Sequence, residues 1–511
     1  VGLGRTHAVS LLGLQGAMVE IEADIGNGLP AFKLIGLPDA ALSQSKERVW
    51  SAATNSGCPI PVEKITVNLS PAALPKHGSG FDLGIGVALL AAAGLIQPES
   101  IEGVVHLGEL GLDGRLRPIA GILPSVLALA RAGYGKVMVP TGNVDEASLV
   151  PGVRVIGVTS LRDAAIWHGS NLEPEPTDPV LLPPALARDS DATDLSDVIG
   201  NDDAIAAMLA AAAGGHHVFL LGPPGAGKTM LASRLPGLLP DLTPEAAIEV
   251  SSIRSLAGLP VGSTLATRPP FESPHHTASA ASLIGGGSNI IRPGAAARAS
   301  HGVLFLDEAP EFASPALDAL RQPLESGVIT IHRANAIAHF PGSFQLVMAA
   351  NPCPCGQWGA KDSNCTCAPF ARRRYLARVS GPLLDRIDIQ LRVNRITSTQ
   401  LRLTQGETRM TSADARSRVS DARGAARARL SDTPWTLNSQ VPGAWLRGPR
   451  VRLGIETTTS IDRALERGGI TMRGYDRVLR LGWTLADLDG ATIPTADHIG
   501  RALFLRKAMT S

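Results

Sequence analysis

The run Gly222-Pro223-Pro224-Gly225-Ala226-Gly227-Lys228-Thr229 has the residue types and spacing of a loop that cradles phosphate. Its glycines let backbone N–H groups converge on phosphate oxygens, and the helix expected from Met230 onward adds the positive end of its dipole. Lys228 is placed to reach the β- and γ-phosphates of ATP, and Thr229 to ligate Mg²⁺ through its hydroxyl. The run Gly302-Val-Leu-Phe-Leu-Asp307-Glu308 reads as a buried strand ending in two carboxylates. Asp307 would complete the Mg²⁺ shell, and Glu308 would orient and deprotonate an attacking water. A third apolar run, Gln345 to Ala350, ends at Asn351, which could position that water against the γ-phosphate. A glycine-rich turn without nucleotide and a carboxylate pair capping a helix are the bland alternatives. The apolar run His217–Leu221 before the loop and the helical run after it favour the nucleotide.

Cysteine suggests a second kind of chemistry. Four of the five cysteines, Cys353, Cys355, Cys365 and Cys367, fall within fifteen residues, and Cys58 stands alone. A disulfide framework belongs to small secreted chains. Two close pairs on a short segment suit a tetrahedral thiolate site for Zn²⁺, although Cys-x-Cys is tighter than the usual ligand spacing. A reduced or redox-active cluster is the alternative.

These groups need a scaffold, and 511 residues suggest about three domains. Charged side chains make up 18%, too few for a disordered chain. No run approaches about 18 consecutive apolar residues, so no membrane span is expected. Residues 1–12 lack the layout of a signal peptide, and the expected location is the cytoplasm. Residues 1–170 read as mixed α/β, with strands near Ala17–Ile25, Lys64–Leu69 and Lys136–Pro140 and helices over Ala40–Asn55 and Ile122–Ala132. Residues 171–190 are proline-rich and read as a linker. Residues 191–395 alternate helices with apolar strands in the manner of a parallel sheet. Residues 396–511 are rich in Arg and Ala with helical periodicity, and only the stretch near Trp435 suggests a β-run. From Ala371 onward there are 25 Lys and Arg against 13 Asp and Glu, although the whole chain carries only +1. That asymmetry suits a polyanionic partner or an acidic neighbouring subunit, and solvated helix faces would explain it equally well.

Together the motifs resemble the AAA+ ATPases and, within them, the magnesium-chelatase-like group with its ComM/YifB family. The matching stretches include Ala211–His217, Pro274-His-His-Thr277, Leu283-Ile-Gly-Gly-Gly287, Gly302–Phe312, Asn351–Gly356, Ser380–Asp388, Met472–Tyr475 and Ala486–Gly490. Asn201 departs from the Gln that relatives usually carry before the core. The resemblance implies a central AAA+ P-loop α/β core, a C-terminal helical lid and assembly as a homo-hexamer. It implies an arginine finger at Arg386, reaching a neighbouring subunit's ATP, and a sensor at Arg473 on the lid. A guanidinium at the γ-phosphate neutralises charge that builds in the transition state. A surface salt bridge is the alternative at either position.

The resemblance further implies an insert near residues 280–292 and a pre-sensor hairpin facing the ring's pore. The residues themselves suggest strands Val328–Ala334 and Asn335–Phe340 around a tight turn. His332 and Arg333 near that turn, and Arg292 in the insert, are the candidates for DNA phosphates, a contact that would be sequence-independent and salt-sensitive. Residues 60–140 resemble the proteolytic domain of Lon, so the N-terminal domain is expected to be a Lon-protease-like α/β domain. Its catalytic serine falls on Gly80 here, and Leu123-Pro-Ser125 stands where Lon carries its lysine, so the domain is expected to be non-proteolytic. The function implied is an ATP-driven DNA helicase or translocase, promoting branch migration in recombination during natural transformation, with recombinase machinery as a candidate partner. A chelatase-type metal-insertion motor and a protein remodeller are the other readings.

Overall fold

The computed structural model describes residues 2–181, 193–287, 291–333, 336–359, 365–397, 402 and 408–507. Residues 182–190 of the expected linker, the turn Ala334–Asn335 and the side chain of Arg333 lie outside the described residues; 171–181 carry no regular structure.

The first domain is built on a seven-stranded sheet in the order Ala31–Ile35, Lys64–Ser70, Gln15–Gly26, Gly2–Leu12, Val104–His106, Lys136–Pro140, Arg154–Val158. Gly2–Leu12 and Gln15–Gly26 form a long antiparallel hairpin, with Gly2 opposite Ile25 and Leu12 opposite Gln15. The hairpin lies on helix Asp82–Ala92, every residue of which is buried. Gly2 and Gly4 permit that approach, because a Cβ on either would stand 2.0 Å from a helix carbonyl oxygen, of Ala92 or Ala88. The single helix expected over Ala40–Asn55 is divided at Gln44 into Ala40–Ser43 and Ser45–Asn55. Asp39 caps the first piece at the Leu42 N–H, while Ser45 and Arg48 of the second turn toward buried Asp82.

The second sheet is parallel and five-stranded: Phe271–Glu272, Val303–Leu306, Gln345–Ala350, Val218–Leu221, Ile389–Arg392. Val218–Leu221, Val303–Leu306 and Gln345–Ala350 are buried throughout, which is why they read as unbroken apolar runs. This arrangement is consistent with an AAA+ core. The last region is helical, with Ser412–Arg429, Ile455–Glu466, Met472–Leu488 and Ala496–Lys507. The β-run suggested near Trp435 is not formed. Gln440 Oε1 accepts from the Thr436 and Leu437 N–H groups, satisfying locally the donors a strand would have shared.

The two sheets meet through the tip of the first hairpin. Leu11, Leu12 and Leu14 pack into the apolar cluster that contains Leu283, Phe340 and Phe344. Between them Gly13 has φ +63°, and a Cβ there would lie 2.9 Å from the His339 carbonyl oxygen. Nearby, the Gly121 N–H donates to the Ser255 carbonyl at 3.0 Å.

Candidate active site

The phosphate loop leaves the sheet at the carboxyl end of Val218–Leu221, between Gln345–Ala350 and Ile389–Arg392. Its first glycine touches backbone on both sides: the Gly222 N–H donates to Ala350 O at 3.1 Å, and a Cβ would meet Val393 O at 2.2 Å. Gly225 and Gly227 have φ of +75° and +87°, the left-handed region open to glycine. Helix Lys228–Leu238 then begins directly under the loop.

Lys228 is buried, and its Nζ donates to Gly222 O at 2.6 Å, Pro223 O at 3.1 Å and Asn351 Oδ1 at 3.1 Å. Burial lowers its pKa from the ordinary lysine value, and the Asp307 and Glu308 carboxylates oppose that. Asn351 and Lys228, far apart in sequence, thus share one point above the sheet edge. Thr229 Oγ1 donates to Asp307 Oδ2 at 2.7 Å, so the hydroxyl and carboxylate expected to hold Mg²⁺ are already adjacent. That hard, all-oxygen pair fits the ion. Glu308 follows in the left-handed region at φ +51°, its N–H donating to Asp307 Oδ1 at 2.9 Å.

Two groups at this edge escape the sequence reading. Arg395 Nε donates to Pro224 O at 2.9 Å, placing a guanidinium against the loop. His276 Nδ1 stands 3.3 Å from Glu308 Oε2. Arg395 was legible only as a basic residue after the fifth strand, and His276 only as part of the Pro-His-His-Thr stretch.

The two expected arginines are not at this loop. Arg386 pairs with Glu325 and donates to Pro382 O at 2.5 Å, while Arg473, three-quarters exposed, lies 3.9 Å from Asp385. Behind them is a buried junction between the five-stranded sheet and the C-terminal helices. Asp388 pairs with Arg477 of helix Met472–Leu488, and its Oδ2 lies 3.1 Å from His216 Nδ1, whose Nε2 is 2.8 Å from Thr484 Oγ1. Burial would raise the Asp388 pKa, but Arg477 and the two histidines outweigh it and hold the carboxyl well below its usual range. Arg506 donates to Ile387 O at 2.7 Å in the same segment.

The four clustered cysteines converge, with all ligand atoms within 4.8 Å of one another. Cys353 Sγ lies 3.3 Å from Cys355 Sγ and 3.7 Å from Cys365 Sγ, and Cys355 and Cys365 are 3.6 Å apart. Zinc–thiolate bonds of about 2.3 Å place tetrahedral sulfurs about 3.8 Å apart, so the cage fits that ion. Burial raises the Cys353 thiol to about 11, whereas the Gln357 N–H helps bring exposed Cys355 down to about 7.

The DNA candidates lie on two short ladders. His332 is exposed on the strand Val328–Arg333, which pairs with Ala336–Pro341. Arg292, in the short ladder of Gly285–Gly286 with Arg292–Pro293, instead lines a cavity of about 240 Å³ against the first domain. The same cavity is lined by Ser79, whose hydroxyl bonds Glu109, and by Ser125, whose hydroxyl donates to Gly121 O at 2.7 Å. Lys76 is fully buried, its Nζ on Leu69 O and Pro71 O, so this lysine is not paired with Ser79.

Comparison with known proteins agrees with this geometry. Residues 194–401 match the family described as magnesium chelatase, subunit ChlI; residues 21–143 match subunit ChlI of Mg-chelatase, and residues 409–506 its C-terminal family. Competence protein ComM of Haemophilus influenzae is 38% identical over 99% of this chain and 98% of its own. YifB of Escherichia coli is 39% identical over 99% and 97%, and an uncharacterized protein of Mycobacterium tuberculosis 47% over 99% of each. A partial likeness to Lon protease of Mycolicibacterium smegmatis, 27% over 34% of this chain, accompanies them. No helix among the described residues is long and apolar enough to cross a membrane. The loop, the paired carboxylates and these relatives together make the chain an ATPase using ATP and Mg²⁺, and it belongs to the ComM/YifB family of magnesium-chelatase-like proteins.

Proposed function

We propose that the chain is the subunit of a hexameric, ATP-driven DNA motor that moves branched DNA, serving branch migration in recombination during natural transformation. The observation that carries the reading is the separation of Arg386 and Arg473 from the loop that holds Lys228. A guanidinium of one protomer placed on the ATP of the next makes hydrolysis depend on ring assembly. In each site Lys228 would bind the β- and γ-phosphates, Asn351 would hold Lys228 and the water in register, and Glu308 would take the water's proton. Thr229 and Asp307 would hold Mg²⁺, which neutralises phosphate charge when bound. His332 and Arg333 on the hairpin would touch the DNA backbone, with Arg292 contributing from the insert. The cysteine cage would hold a structural Zn²⁺ beside the loop, where Gly356 abuts Pro224. The domain assignment follows: 1–170 a non-proteolytic Lon-like module, 171–190 a linker, 191–395 the motor core, 396–511 its lid. The name of the Haemophilus relative, a competence protein, supports the biological setting.

The test compares ATPase stimulation by a four-way DNA junction, linear duplex, porphyrin with Mg²⁺, and casein, alongside the mass of the assembly with ATP. Junction-selective stimulation in a hexamer is the expected result. Stimulation by porphyrin or casein alone transfers the assignment to metal insertion or protein remodelling. An Arg333→Ala variant should hydrolyse ATP but fail to displace strands.

A further inference from the structure

The excess of Lys and Arg beyond Ala371 plays no part in the nucleotide site, and it begins on helix Pro369–Leu376. Tyr375 is the buried residue that holds this helix down. Phe370 is 66% exposed, and Arg373 and Arg374 are exposed beside it. Between positions 363 and 384 the chain carries four arginines and no acidic residue. Arg378 is neutralised by Glu311 at 3.1 Å, whereas Arg372, Arg373 and Arg374 form no ion pair among the described residues. The helix dipole favours cations in the last turn, where Arg373 and Arg374 stand, but gives no reason for aromatic rings among them.

Two rings carry these guanidinium groups. Arg372 lies over the Trp358 ring, 4.8 Å from its centre, Arg392 over the same ring at 5.8 Å, and Arg374 over Phe370 at 5.9 Å. Trp358 thereby gathers cations from two elements, the helix and strand Ile389–Arg392. A stacked guanidinium still offers the N–H groups of its edge to phosphate oxygens. The cysteine cage ties the parts together: the Trp358 N–H donates to Cys353 Sγ at 3.4 Å, and the helix starts two residues after Cys367. Cations for phosphates and an exposed ring face for bases are the two elements of single-strand binding. A duplex hides its base faces within the stack, so exposed Phe370 favours an unpaired strand.

We propose that Trp358, Phe370, Arg372, Arg373 and Arg374, with Arg392, form a surface for single-stranded polynucleotide, additional to the hairpin and insert candidates. The binding is argued from this patch alone. Its use, to hold a strand unpaired by the motor, rests on the DNA-motor reading.

The experiment measures binding of fluorescein-labelled oligo(dT), and of a duplex of equal length, to the full-length chain by anisotropy across about 50 to 200 mM salt, beside the mass of the assembly with ATP. The proteins are wild type, the triple variant Arg372→Ala, Arg373→Ala, Arg374→Ala, the single variant Phe370→Ala, and Arg418→Ala, an exposed arginine of helix Ser412–Arg429 that serves as the charge control. The triple variant should lower the log–log salt slope by about 2. Phe370→Ala should weaken oligo(dT) about fivefold or more, with duplex affinity held, and Arg418→Ala should bind as wild type does. No oligo(dT) binding by wild type, wild-type affinity in both patch variants, or an equal loss for duplex in Phe370→Ala overturns the surface. A patch variant that fails to assemble with ATP makes the patch a contact between copies and likewise overturns it. If oligo(dT) binding falls as expected while a four-way junction leaves wild-type hydrolysis unstimulated, the surface stands and the DNA-motor reading falls.

Discussion

Replacing Arg477 by Met tests how helix Met472–Leu488 is joined to the five-stranded sheet. The Asp388 carboxylate is 2% exposed and its ionic partner is Arg477, with His216 as the second contact. Methionine keeps most of the aliphatic stem and removes the charge, leaving a buried carboxylate without its paired guanidinium. Breaking one side of such a pair costs about 3–5 kcal/mol. For a unit of this size that corresponds to a fall in melting temperature of about 10 °C. In the double variant Arg477→Met, Asp388→Asn the buried charge is gone as well, so most of the loss should return. Acidity adds an internal check. In wild type the depressed Asp388 carboxyl contributes stability above its unfolded value of about 3.9, which is lost as pH falls through the folded one. In the single variant burial raises that carboxyl, so the deficit against wild type should narrow as pH approaches 4. Calorimetry of the four proteins, with hydrogen exchange across helix Met472–Leu488, reads the result. A single variant within about 1 kcal/mol of wild type, or a double variant that loses more than either single one, refutes the reasoning.

Arg386→Ala should abolish hydrolysis, by about 10³-fold or more, while ATP binding stays nearly intact; wild-type turnover would refute the finger assignment. Metal analysis should find one zinc per chain, lost on Cys353→Ala together with ordering of the segment beside the phosphate loop, and wild type purified without metal would remove the zinc reading. The buried pair His106 and His168, with ring nitrogens 2.9 Å apart, makes the first domain sensitive to acid. Burial holds His168 at about 4 and His106 well below its ordinary value, so the stabilisation is complete above about 6.5 and declines as pH falls toward the folded values. Urea unfolding should show about 4 kcal/mol lost between pH 7 and pH 5, about 2 from each ring, with His168→Gln showing a flatter profile.

Much of the nucleotide site could be read in advance because its signal is local. Eight consecutive residues define the loop, and an apolar run followed by two carboxylates defines its partner. The same holds for the three inner strands of the five-stranded sheet, which are buried on both faces and so read as continuous apolar runs. Where contacts are made at a distance, the signal vanishes. His276 reaches Glu308 from 32 positions away, and His216 reaches Asp388 and Thr484 from still farther. Strand Gly2–Leu12 was hidden for another reason: its glycines serve close approach to a helix, which removes the alternation that marks a strand. The false β-run near Trp435 shows the converse, since Trp435, in a loop, packs against Trp445 of helix Gly443–Leu446.

The leucine tip of the first hairpin acts as a peg, and strand Ala336–Pro341 forms part of its socket. The two sheets are geared by this fit. Any displacement of strand Ala336–Pro341 must either carry the first hairpin with it or withdraw three leucines into water. Separating the two sheets would therefore leave the nucleotide-binding one with an apolar scar where the peg had been, prone to clumping.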